Sequence, residues 1–250
     1  MKRIALAVVF LIAVATLPAQ TFDDAIAAYQ RGEFGVAAKA LSKLAEHGDV
    51  NAQFLLGAMY DRGEGVRQDK LEAARWFRKA AEQGLAEAQF SLGNMYDNGE
   101  GVPRDLSEAV RWHRKAAEQA YAPAQLRLGA AYYDGDGVRQ DKLEAARWFR
   151  KAAEQGNAKA QFNLGVMYYD GDGVRQDRVE AARLFRKAAE QGDAKAQFNL
   201  GLMYYDGDAV RQDKVEAVRW YRKAAEQGYA QAQSALRLLG EDQTSRVPKP

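Results

Sequence analysis

The chain has 250 residues, 47% hydrophobic and 28% charged, which excludes a disordered or fibrous polymer and allows a sizeable buried core. Setting aside Lys2 and Arg3, which lie in an N-terminal segment read below as removed, leaves 34 of the 36 basic side chains against 34 acidic ones; this balance gives no electrostatic footprint for nucleic acid. The absence of cysteine excludes disulfide frameworks, thiol catalysis, Cys-ligated zinc and a lipid-anchored cysteine.

The first segment, MKRIALAVVFLIAVATLPAQ, has a short basic start, an apolar run from Ile4 to Leu17 and small residues before a cut after Ala19 or Ala15. The run is about 14 residues, short of the roughly 20 that span a bilayer, so residues 1–19 read as a secretory signal and an uncleaved anchor is the weaker alternative. The expected mature protein is exported, periplasmic or secreted, with no stable membrane insertion.

From residue 52 the chain repeats with a period of 36: AQFLLGAMYDRGEGVRQDKLEAARWFRKAAEQG begins at Ala52, and counterparts begin at Ala88, Ala124, Ala160 and Ala196. This divides the protein into a capping hairpin at 20–51, five repeats (52–87, 88–123, 124–159, 160–195, 196–231), a capping helix at 232–240 and a disordered tail at 241–250. In the capping hairpin the turn has shrunk to RGEF. The predicted first helix of each repeat places Ala160, Leu164, Met167 and Tyr168 on one stripe. A glycine inside that helix costs about 1 kcal/mol relative to Ala, so its recurrence at Gly57, Gly93, Gly129, Gly165 and Gly201 calls for close approach of a neighbouring helix.

The predicted second helix starts at an Asp cap with Glu three residues on, as in Asp141 and Glu144. It buries Ala145, Trp148, Phe149, Ala152 and Ala153, and ends at Gly156, a left-handed residue. Glu144 with Arg147 and Arg150 with Glu154 are spaced to pair on the solvated face. Departures from the period are Ala120, Ala209, His113 and Leu184, where Gly84, Gly173, Phe149 and Trp148 set the pattern.

Between the two helices stands Asp170-Gly171-Asp172-Gly173, whose carboxylate spacing resembles the opening of a calcium loop. That loop needs a third ligand at position 174 and a Glu at 181, where Val174 and Ala181 stand. The segment therefore reads as a turn, with glycines supplying positive φ, and no metal or cofactor is expected. His47 and His113, the two histidines, form no zinc-type cluster, and His113 reads as a packing residue.

The recurrent Ala-x-x-x-Leu-Gly-x-x-Tyr, the Gly-x-Gly-Val turn and Ala-Ala-x-Trp-Phe-x-Lys-Ala-Ala-Glu-x-Gly resemble the Sel-1-like repeat (SLR) family, relatives of tetratricopeptide repeats, over residues 22–240. The resemblance implies an all-α, right-handed α-solenoid of stacked antiparallel hairpins, with a concave face lined by the first helices and used to bind another protein. Applied here, it selects a second stripe on those helices as the partner-binding surface: Leu126 and Tyr133, then Phe162, Val166 and Tyr169, then Phe198, Leu202 and Tyr205. The competing reading packs the Phe rings within or between hairpins and leaves only the tyrosines exposed.

Some relatives are associated with β-lactam hydrolysis, but Ser-x-x-Lys, Ser-Asp-Asn and Lys-Thr-Gly are all missing. The expected function is that of a non-catalytic exported scaffold for a protein or peptide partner. The alternatives are a self-associating structural protein of the cell envelope, its terminal units forming a homo-oligomer, and, further off, a β-lactamase-like hydrolase.

Overall fold

The computed structural model describes residues 21–240; the N-terminal signal and the C-terminal tail of the sequence reading lie outside them. Thirteen α-helices and no strand are found among the described residues. Helices α1 (Phe22–Gln30) and α2 (Phe34–Glu46) form the first hairpin. Five longer hairpins follow: α3 (Val50–Arg62) with α4 (Lys70–Glu82), α5 (Ala86–Asn98) with α6 (Leu106–Glu118), α7 (Ala122–Asp134) with α8 (Lys142–Glu154), α9 (Ala158–Asp170) with α10 (Arg178–Glu190), and α11 (Ala194–Asp206) with α12 (Lys214–Glu226). A single helix, α13 (Ala230–Leu238), packs on α12. Each hairpin packs on the next, giving a right-handed α-solenoid in which a hairpin touches only its neighbours.

The helix glycines have the close neighbour their recurrence calls for. A Cβ at Gly165 would lie 2.8 Å from the Phe185 ring, and one at Gly57 2.8 Å from Phe77, so the second helix of the same hairpin presses its aromatic ring onto the first. The turn glycines end the first helices in the left-handed region, Gly171 at φ 74°, while Asp177 caps the next helix by accepting from the Glu180 amide at 3.0 Å.

Of the two ion pairs expected on the second helix, one is present and one is not. Glu144 accepts from Arg147 at 3.1 Å, and the same pair recurs in the second helices of all five long hairpins. Arg150 does not pair with Glu154 but donates to the Tyr168 hydroxyl at 2.8 Å on the adjacent first helix. The equivalent bonds join Arg78 to Tyr96, Arg114 to Tyr132 and Arg186 to Tyr204.

Sequence patterning misses a buried polar ladder. Gln53, Gln89, Gln125, Gln161 and Gln197 are all buried. Gln161 donates from Nε2 to the Ala153 carbonyl of the preceding hairpin at 3.1 Å, and its Oε1 accepts from Gln191 Nε2 of its own hairpin at 2.8 Å. The pattern repeats at every junction from Gln53 to Gln197, tying each first helix to the C-terminal end of the second helix before it.

Candidate concave-face binding groove

The second stripe of the first helices is half-buried rather than free. Phe162 lies with its ring centroid 5.9 Å from that of Phe185, and Phe198 lies 5.6 Å from Tyr221 and 5.4 Å from Tyr229, so both rings also pack within the solenoid. Leu126 and Tyr133 rest on the cluster around Phe149 and Leu164. Leu202 is the most open of the eight, 38% exposed.

Tyr133 and Tyr169 have structural partners for their hydroxyls. Tyr133 donates to Asp172 Oδ2 at 2.9 Å, and Lys142 Nζ donates to the same oxygen at 2.8 Å. Tyr169 and Arg178 converge likewise on Asp208 Oδ2, at 3.0 and 2.9 Å. The second aspartate of the turn motif is therefore a clamp between successive hairpins as well as a turn residue. The Lys142 bond, and behind a smaller burial effect the Tyr133 bond, hold Asp172 below the usual aspartate range; acceptance by Asp172 and then burial push Tyr133 up. Tyr205, on the last of the long first helices, has Lys214 5.2 Å from its ring.

Three of the eight residues meet in one recess. Tyr133, Phe162 and Val166 line a cavity of about 330 Å³ between α7 and α9, together with Ala130, Asp134 and Phe149. This is concave, largely apolar space of the kind that accepts a side chain. The others stand apart from it: Leu126 toward the start of α7, Tyr169 at the clamp, and Phe198, Leu202 and Tyr205 one hairpin further on.

A second recess, of about 260 Å³, adjoins it between α5 and α7 and is polar. Here the repeat is broken: His113 replaces the packing aromatic and Asp97 stands at the tyrosine position. His113 is 2% exposed and its Nε2 lies 3.1 Å from Asp97 Oδ2, which also accepts from Arg127 at 3.0 Å. Burial pushes the Asp97 carboxyl up, but the His113 and Arg127 interactions outweigh it and hold it below its ordinary value. The His113 Nδ1 is buried without a partner, beside Gly93 on α5. The packing role expected of His113 is present, joined to a polar one that its spacing did not disclose.

Among the described residues no helix is long and apolar enough to cross a membrane. Residues 50–85, 86–121, 122–157, 158–193 and 194–229 each match the family model described as Sel1 repeat. A protective antigen present in uropathogenic Escherichia coli strains, displaying an SLR fold, is similar at 38% identity and TM-score 0.82 over 91% of this chain. The chain spans 51% of that antigen's length. A Sel1 repeat protein from Oxalobacter formigenes is similar at 36% identity and TM-score 0.79, over 86% of this chain and 88% of its own. An immunity protein from Pseudomonas aeruginosa, 22% identical with TM-score 0.51 over 90% of this chain and 88% of its own, shares the fold alone. No curated protein matches the chain.

Proposed function

Since the chain belongs to the Sel1 repeat family, whose fold is a protein-interaction scaffold, we propose that it is an exported, non-catalytic adaptor holding a protein or peptide along the face of its first helices. The observation that carries this reading is the pair of adjoining recesses between α5, α7 and α9, one polar and one apolar, open on that face. Export rests on the basic start and apolar run of residues 1–19, in the periplasm or outside the cell.

The eight stripe residues divide by role. Val166 and Leu202 contact a partner at little structural cost; Tyr133, Tyr169, Phe162 and Phe198 also hold hairpins together, so their removal confounds binding with folding. The test is capture from an exported-protein extract by the full chain beside Val166→Asp and Leu202→Asp variants, after circular dichroism shows equal helix content. A partner kept by the natural chain and lost by the folded variants supports the groove; one kept by all three moves the binding face elsewhere.

Self-association is the second reading. It rests on Leu238, 88% exposed on the terminal helix α13. Light scattering of the full chain and of Leu238→Glu separates it: a dimer dispersed by the substitution assigns the end of the solenoid to a second copy.

A further inference from the structure

We propose that the polar recess between α5 and α7 receives a lysine or arginine side chain of the partner, with an apolar partner side chain seated next to it in the recess between α7 and α9. This deepens the groove reading above and rests on it.

The argument comes from comparing the chain with itself. Each long hairpin carries a carboxylate at the same place in its turn: Glu64, Glu100, Asp136, Asp172 and Asp208. Four have a partner that neutralises them. Glu64 accepts from Tyr29 at 2.7 Å and lies 2.9 Å from Arg62; Glu100 lies 3.0 Å from Lys70, Asp172 2.8 Å from Lys142 and Asp208 2.9 Å from Arg178. Lys70, Lys142 and Arg178 occupy one repeat position, the first residue of the second helix. At that position the hairpin preceding Asp136 has Leu106, and where Tyr133 and Tyr169 stand it has Asp97.

Both clamp donors are thus lost at this one junction, and among the described residues Asp136 has no side-chain partner. Asp97 does not compete for a ligand cation, because His113 and Arg127 already use it. Arg127 is committed to Asp97, and Arg104 binds the Asp97 carbonyl through Nε at 2.9 Å. Asp134, also without a partner among the described residues, lines this recess and the apolar one. With the Asp97–Arg127 pair neutral, two carboxylates, Asp134 and Asp136, stand against the single charge of Arg104, an excess of one negative charge that favours a cation. The place of that cation is shown by Lys142 at the next junction.

The two recesses share Ala130 and Asp134 and so adjoin each other along α7. Residues i and i+2 of an extended peptide lie on one side, about 7 Å apart, so a single strand presents one side chain to each of two adjoining recesses. The recognised segment is then basic at one residue and apolar two residues on.

The test uses four capped octapeptides of glycine and serine with Lys-Gly-Leu, Gln-Gly-Leu, Glu-Gly-Leu or Lys-Gly-Ser at their centre. Each is titrated into the full chain while the Ala130 amide, between the recesses, is followed by NMR. Lys-Gly-Leu is expected to bind about fivefold more tightly than Gln-Gly-Leu or Lys-Gly-Ser. The charge preference should vanish in Asp136→Asn, and also in Leu106→Lys, which supplies the missing internal cation and keeps the fold. Equal binding of Lys-Gly-Leu and Gln-Gly-Leu at Ala130 overturns the cation site while leaving the groove standing. Tightest binding of Glu-Gly-Leu assigns the recess to an anion through Arg104 and overturns it too. If no peptide moves Ala130 the proposal fails, and the Val166→Asp capture decides the broader reading separately.

Discussion

At the scale of single residues, the most informative positions are those that leave the period. Ala120 and Ala209 are the non-glycine residues with positive φ among the described residues, at 60° and 57°. L-residues reach this region at a cost of about 1 kcal/mol. The surroundings of the two differ. At Gly84, equivalent to Ala120, a Cβ would meet nothing within 4 Å, so Ala120 carries backbone strain alone. At Gly173, equivalent to Ala209, a Cβ would lie 2.6 Å from the Lys142 carbonyl carbon, so a side chain there also crowds the preceding helix. Ala120→Gly should therefore stabilise the chain by about 1 kcal/mol and Ala209→Gly by more, read as shifts in urea midpoint at unchanged slope. Equal shifts would mean that the turn at Ala209 has already opened to accommodate its methyl group.

At the scale of helices, the hairpins are held together by polar bonds as much as by apolar faces. Gln161→Ala removes a donor to the Ala153 carbonyl and an acceptor for Gln191 at a position 3% exposed. It should cost about 2 kcal/mol, because the carbonyl it leaves is buried. Tyr169→Phe removes only the half-buried bond to Asp208, to which Arg178 still donates, and should cost less than about 1 kcal/mol in the same urea titration. The reverse order would place the main coupling between hairpins at the turn clamp. Apolar spacing, Asp caps and turn glycines made the helices and their pairing legible beforehand, since each acts within a few residues. The glutamine ladder was not legible, because a glutamine at helical spacing reads as surface until its carbonyl partner is seen. The tyrosine stripe was legible as a face but not as a clamp: Tyr133 and Asp172 are 39 residues apart, and spacing within one helix names no hydroxyl acceptor in the next repeat. His113 was visible only as a departure from the period; its pairing with Asp97 on the neighbouring helix was not, and the recess there depends on Arg127 from a third helix.

At the scale of the molecule, these junctions set the pH range of the solenoid, because a stack of nearest-neighbour contacts is only as stable as its interfaces. Asp97, Glu64 and Asp172 are held below their ordinary values in the folded chain. A carboxylate lowered by folding contributes stability above its unfolded value of about 4 and loses that contribution as pH falls through its folded value. On the other side, Tyr133 and Tyr169 are raised by donation to Asp172 and Asp208, Tyr221 is pushed up to about 12 chiefly by burial, and Lys70 and Lys142 are raised by their carboxylate partners. Groups raised by folding contribute fully below their unfolded values, near 10, and lose that contribution as pH rises through the folded ones. The urea midpoint should thus be nearly flat between about pH 5 and 9 and fall on both sides, the alkaline limb reporting the clamps and the buried Tyr221. Asp97→Asn separates one junction from the rest: it should lower the midpoint at pH 7, where the ionised pair with Arg127 and the bond from His113 are lost, and reduce the further drop between pH 5 and 3. If the variant and the natural chain fall by the same amount across that interval, the acid limb belongs to the turn carboxylates, and the His113 junction contributes packing alone.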